Sequence, residues 1–121
     1  MIAIKRAYDP SSGADGTRIL VDRVWPRGIK KENAHVEKWM RELGPSDELR
    51  QFFGHDPERW REFRKRYLVE LKCSGTKPLL AELEQIARNG TLTLVYSAKD
   101  REHNQAVVLK EVLDRRLRHS C

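Results

Sequence analysis

The chain has 121 residues, with 24 Lys and Arg against 18 Asp and Glu, a formal net charge of +6 and 35% charged residues. That length fits one domain with a single core, and the longest uncharged stretch, residues 89–98, is half of what a membrane-spanning helix needs. No membrane partner is therefore expected, and with Lys5 and Arg6 sitting where a signal peptide would be apolar, the expected location is the cytoplasm.

Residues 2–8 predict a first strand, with Ile2, Ile4, Arg6 and Tyr8 on one side. Residues 9–16, DPSSGADG, are rich in turn formers. Residues 18–22 predict a second strand. Its unbroken Ile19, Leu20, Val21 centre points to burial on both faces, and so to the middle of the sheet between the first and last strands. Pro26 then keeps Trp25 out of helical dihedrals, and Gly28 permits a turn.

Four helices are expected next. The first places Val36, Trp39, Met40 and Leu43 on one stripe and stops at Gly44 and Pro45. A short second one is capped by Ser46 and ends near Phe53 and Gly54. The third opens with Asp56 as cap and Pro57 at the first helical position, and runs to about Lys72. The fourth starts near Pro78, turns Leu79, Leu80, Leu83, Ile86 and Ala87 inward, and closes at Asn89 and Gly90. Residues 91–97 read as a third, alternating strand, and a last helix follows Asp100 with Ala106, Leu109, Val112, Leu113 and Leu117 at helical spacing.

This order predicts a single α/β domain: a small, mainly parallel, three-stranded sheet covered by about five helices. Only about nine residues join strands one and two, fewer than a parallel crossover usually needs. On spacing alone an antiparallel pair serves as well. Cys73 and Cys121 form no pair motif and read as free thiols.

The positive balance raises nucleic acid as a partner. The densest basic run, residues 59–66, is interleaved with Glu58, Glu62 and Glu70, while Trp60, Phe63, Tyr67, Leu68 and Leu71 fall at helical spacing. That pattern describes the solvated face of an amphipathic helix, and any nucleic-acid binding through it would be weak and non-specific.

A parallel sheet would gather two motif-bearing loops at one edge, where α/β folds build their sites. Arg23 and Arg27 follow the second strand and carry forked donors suited to phosphate or carboxylate. Trp25 between them would form pocket wall. Asp100, His103 and Asn104 open the last helix, where free backbone N–H groups favour anions, although Asp100 serves equally as a plain cap. His103 and His55 each sit at a helix start and are the histidines placed for acid–base work. No metal-ligating spacing, phosphate loop, dinucleotide fingerprint or nucleophile elbow is present, so no metal and no cofactor are expected.

Three stretches, ILVDRVWPRG at 19–28, FGHDPERW at 53–60, and LTLVYSAKD at 92–100 followed by His103, Asn104 and AVVL at 106–109, resemble the YeaO-like family of small bacterial proteins of unknown function. The resemblance covers nearly the whole chain and implies a compact cytoplasmic α/β domain. The sequence also resembles a broader superfamily with a longer helix between the first two strands, which implies a parallel arrangement here with residues 10–16 as a shortened crossover. It implies no reaction.

The reading from the residues is an anion-binding protein, extending to turnover, whose ligand is a small phosphorylated or otherwise anionic molecule. Arg23 and Arg27 would hold the anion, with Trp25 and Asn104 beside it. His103, Asp100 and His55 would position or protonate. The rival reading is a nucleic-acid-binding or protein-interaction module using the basic helix face. The sequence carries no signal of oligomeric state.

Overall fold

A computed structural model of the protein describes residues 1–119; Cys121 lies outside the described residues. Four strands, β1 (Ile2–Arg6), β2 (Thr17–Leu20), β3 (Lys38–Trp39) and β4 (Leu92–Tyr96), form one sheet in the order β1-β4-β2-β3. Every pairing is parallel. The helices are α1 (Lys31–Ala34), α2 (Asp47–Phe53), α3 (Trp60–Glu70), α4 (Lys77–Arg88) and α5 (Gln105–His119).

The sheet register sorts the strand residues by face. Ile4, Leu94 and Ile19 align across the sheet, as do Ala3, Thr93 and Arg18 one residue earlier. The first row, with Ile2, Leu92, Tyr96 and Val21, belongs to one core with Phe53 of α2, Phe63 and Tyr67 of α3, Leu80 and Leu83 of α4, and Leu109 and Leu113 of α5. Helices α2 to α5 therefore cover one face. The other face carries Arg18, Thr93, Leu20 and Val95, and it is closed by turns. A 3-10 turn over Gly13–Asp15 sets the buried Asp15 carboxylate against Arg18 Nη1 at 2.7 Å and Lys5 Nζ at 3.1 Å. Arg18 also donates to the carbonyls of His35 and Ala34.

That polar bundle explains how about nine residues suffice to join β1 to β2. The two strands do not pair; the connection passes over β4 to the other side of it, with Thr93 Oγ1 donating to the Asp15 carbonyl at 2.7 Å. Gly16 completes the crossing at φ 64°, where a Cβ would sit 2.3 Å from the Thr91 carbonyl oxygen. A side chain fits neither that dihedral nor that space.

Several expectations need correction. The sheet has four strands, and β4 takes the central place assigned to residues 18–22. All five of its residues are buried, although its sequence alternates. β2 is still interior, because β3 covers its other side. The helix expected over Val36 to Leu43 is absent. The one-turn α1 ends at His35, at φ 53°; β3 and a 3-10 turn over Arg41–Leu43 follow. The free edge of β2 outcompetes helical periodicity: Glu37 N–H donates to the Arg18 carbonyl and Met40 N–H to that of Leu20. The caps at Ser46 and Asp56 form as expected, each side chain accepting a backbone N–H. Cys73 is an exposed free thiol. No helix among the described residues is long and apolar enough to cross a membrane.

Candidate functional site

Four parallel strands bring four C-terminal ends to one edge of the sheet. Tyr8 follows β1, residues 22–27 follow β2, Pro45 follows β3, and residues 97–105 follow β4. With Asp47, Arg50 and Phe53 of α2, they enclose an open cavity of about 540 Å³. That is within the range of small-molecule sites.

Of the residues singled out in the sequence, Arg23, Trp25, Arg27, His55, His103 and Asn104 all line this cavity. Asp100 stands one layer behind. Their engagements differ. Arg23 donates through Nε to the Pro45 carbonyl at 3.2 Å and through Nη2 to that of Gly44 at 2.9 Å, so its guanidinium also pins the cavity wall. Gly44 has to be glycine here, because a Cβ would meet the Arg23 backbone nitrogen at 2.4 Å. Trp25 donates to the Ile29 carbonyl at 2.6 Å and meets Trp39 edge-on at 5.4 Å, which fixes it as wall. Arg27 is exposed. Its carbonyl accepts from Tyr8 at 2.7 Å, while its guanidinium has no hydrogen-bond or ion-pair partner among the described residues.

The loop after β4 is organised by Asp100. Its Oδ1 accepts the N–H groups of Glu102 and His103, and its Oδ2 lies 2.8 Å from His103 Nδ1. Those backbone donors, Glu102 first, and the imidazole hold the Asp100 carboxyl below its ordinary value. A carboxylate at Nδ1 places a proton there, leaving Nε2 as the free ring nitrogen. His103 is braced edge-on against Trp60 at 5.2 Å. Asn104 is almost fully buried; its Nδ2 donates to the Asp100 carbonyl and its Oδ1 accepts from Val107 N–H. Asn104, not Asp100, therefore caps α5, and Asp100 caps the turn before it. His55 sits exposed at the rim, at φ 59° directly after the left-handed Gly54.

Three of the lining residues that carried no assignment in the sequence bear on the chemistry. Asp22 is 6% exposed and its Oδ1 accepts from Gln105 Nε2, while Oδ2 is buried without a well-formed hydrogen bond. Burial raises the Asp22 carboxyl above its ordinary value, against the opposing influence of Ser97, Gln105 and, at longer range, Arg50. Arg50 reaches the cavity from α2, with one bond of 3.0 Å to Asp47. An acid placed directly after a buried strand and before two arginines was a usable signal for Asp22; Arg50 and Gln105 had none.

A family model described as the inactive DUF488-N3 subclade matches residues 1–121. The chain belongs to this family. It is 45% identical over 112 residues to the uncharacterised protein YeaO of Escherichia coli K12, covering 93% of this chain and 96% of that one. Uncharacterised proteins of Mycobacterium bovis and Mycobacterium tuberculosis are 37% identical over 115 residues, with 95% of each chain covered. The YeaO-like resemblance read from the three motifs is thus shown. No solved structure matches the chain.

One contact at this edge titrates. Asp9, in the turn after β1, receives both forks of Arg101 at 2.9 Å, which ties that turn to the loop after β4. The Arg101 hydrogen bond is the main influence holding the Asp9 carboxyl at about 2 instead of 3.8. A folded value below the unfolded one stabilises the fold above pH 3.8, and that contribution disappears as pH falls through about 2. Arg101→Ala should therefore lower Tm at neutral pH, with the gap to the parent closing by pH 2. A Tm series across pH 2–7 checks this, and a gap that stays constant would refute it.

Proposed function

We propose that the cavity at the strand ends binds a small phosphate- or carboxylate-bearing molecule. The observation that carries this reading is the uncommitted Arg27 guanidinium, standing at the wall of a cavity that Arg23 and Arg50 also line. Arg27 and Arg50 supply forked donors, and Arg23 keeps Nη1 free after its two carbonyl contacts. His103, oriented by Asp100, presents Nε2 toward the ligand, with His55 at the rim. Asn104 contributes by holding that loop, since both ends of its amide are engaged within it.

The family is an inactive subclade by its description, and this favours binding without turnover. An exposed free thiol at Cys73 suits a reducing, cytoplasmic setting. The basic face of α3 supports the nucleic-acid reading less well. Arg64 pairs with Glu111 and Arg66 with Glu62, while Arg59 lies near Asp56.

A thermal-shift screen of phosphates, nucleotides and carboxylates tests the proposal. A stabilising anion raises Tm through its preference for the folded state, and the shift should vanish in folded Arg27→Ala and shrink in His103→Ala. Absence of any stabilising anion defeats the reading. In a parallel titration, duplex DNA should bind weakly, without sequence preference, and fade steeply with salt. A preference that survives physiological salt would promote the rival.

A further inference from the structure

Asp47, one lining carboxylate, is already paired with Arg50 at 3.0 Å; the other, Asp22, runs against a plain anion site. A carboxylate among arginines would be expected to pair with them, yet none of Arg23, Arg27 or Arg50 makes a hydrogen bond to it. Its Oδ1 is taken by Gln105, a neutral donor. Its Oδ2 is buried, in a residue that lines the cavity, and makes no well-formed hydrogen bond, although Ser97 lies close enough to favour the ionised carboxylate. Native interiors seldom leave a buried acceptor unsatisfied, because the group forfeits its water without replacement. Trp39 Nε1 donates to the Asp22 backbone carbonyl at 2.6 Å, which fixes the residue's main chain. The oxygen without a well-formed hydrogen bond is thus a property of a built position, in a cavity that the unpaired Arg27 guanidinium also lines.

Resting on the anion reading above, we propose that the ligand is a small zwitterion, a primary ammonium close to a phosphate or carboxylate, with the ammonium at the Asp22 carboxylate and the anion on Arg27 and Arg50. An ammonium supplies the countercharge that the neutral Gln105 and Ser97 cannot. It also explains why one cavity offers both signs. A neutral hydroxyl would satisfy the hydrogen bond but leave the buried charge uncompensated.

The test uses two pairs of probes that are nearly isosteric and differ in the amine: phosphoethanolamine against propyl phosphate, and β-alanine against butyrate. Calorimetric titration into the full-length protein should show the amine-bearing member of at least one pair binding roughly tenfold or more tighter. In Asp22→Asn that preference should collapse while the amine-free member binds as before. Equal affinity within both pairs on the parent protein overturns the zwitterion and leaves the anion reading standing. A preference that persists in Asp22→Asn overturns the role of Asp22. Binding of none of the four probes overturns the zwitterion proposal, and the anion reading is then judged by the wider screen. The comparison within each pair needs no variant, so it decides the matter even if Asp22→Asn fails to fold.

Discussion

Phe63→Ala should lose about 3–5 kcal/mol of folding stability and abolish ligand binding with it. The ring is 1% exposed and stacks on Phe53 at 4.4 Å, on Trp60 at 5.6 Å and on Tyr67 at 5.7 Å. Truncation leaves a hole among three aromatics that cannot all move inward, because Tyr67 is anchored by its hydroxyl on the Leu43 carbonyl. The same ring lines the cavity. Its removal also loosens Trp60, the edge that braces His103. Urea denaturation with Phe63→Leu as a comparison separates size from chemistry, since a roughly volume-preserving apolar swap should cost less than about 1.5 kcal/mol. If Phe63→Ala costs no more than Phe63→Leu, the aromatic stack is not holding α2 and α3 together.

Asp15→Ala should cost about 3 kcal/mol, the low end for breaking a buried pair, because Lys5 in the cluster is 26% exposed. The carboxylate accepts from Arg18, from Lys5 and from Ser12 N–H. These contacts hold its carboxyl below the ordinary value although burial pushes the other way. Without it, Arg18 keeps its charge, is 5% exposed, and has only the carbonyls of Ala34 and His35 left. Asp15→Asn should fall between the two, keeping the shape and losing the charge. Equilibrium unfolding reads the difference; a loss below about 1 kcal/mol would mean that the cluster behaves as a solvated surface pair.

Local signals in the sequence were strong where the chain's own neighbours decide the structure. Ser46, Asp56 and Pro57 place helix starts, Gly54 a helix end, and the apolar stripes of α4 and α5 their buried faces, because capping and periodicity act within a few residues. They misled at residues 36–43, where Val36, Trp39, Met40 and Leu43 mimic a helical stripe while the backbone is drawn to the free edge of β2 from some twenty residues away. The central place of β4 was hidden for the same reason: Thr93 alternates with Leu92 and Leu94, yet the hydroxyl is buried because the Asp15 carbonyl accepts from it. At the site, the loops after β2 and β4 were legible as a converging pair. The division of labour within them was not. Whether an arginine reaches a ligand or clamps a carbonyl, as with Arg27 and Arg23, depends on the distant loop at Gly44 and Pro45.

β1 meets its partner only across the length of the chain: Ile2 pairs with Leu92 and Arg6 with Tyr96. β2 also has its longer pairing in β4, and the one strand pair available earlier, β2 with β3, spans two residues on each side. The sheet therefore assembles only once β4 is available, by a slow search among distant segments. Until then the Ile19, Leu20 and Val21 run stands unpaired on one side, the kind of segment that chaperones shield and that aggregates when they do not. A nascent chain halted before Leu92 has nothing to fold around.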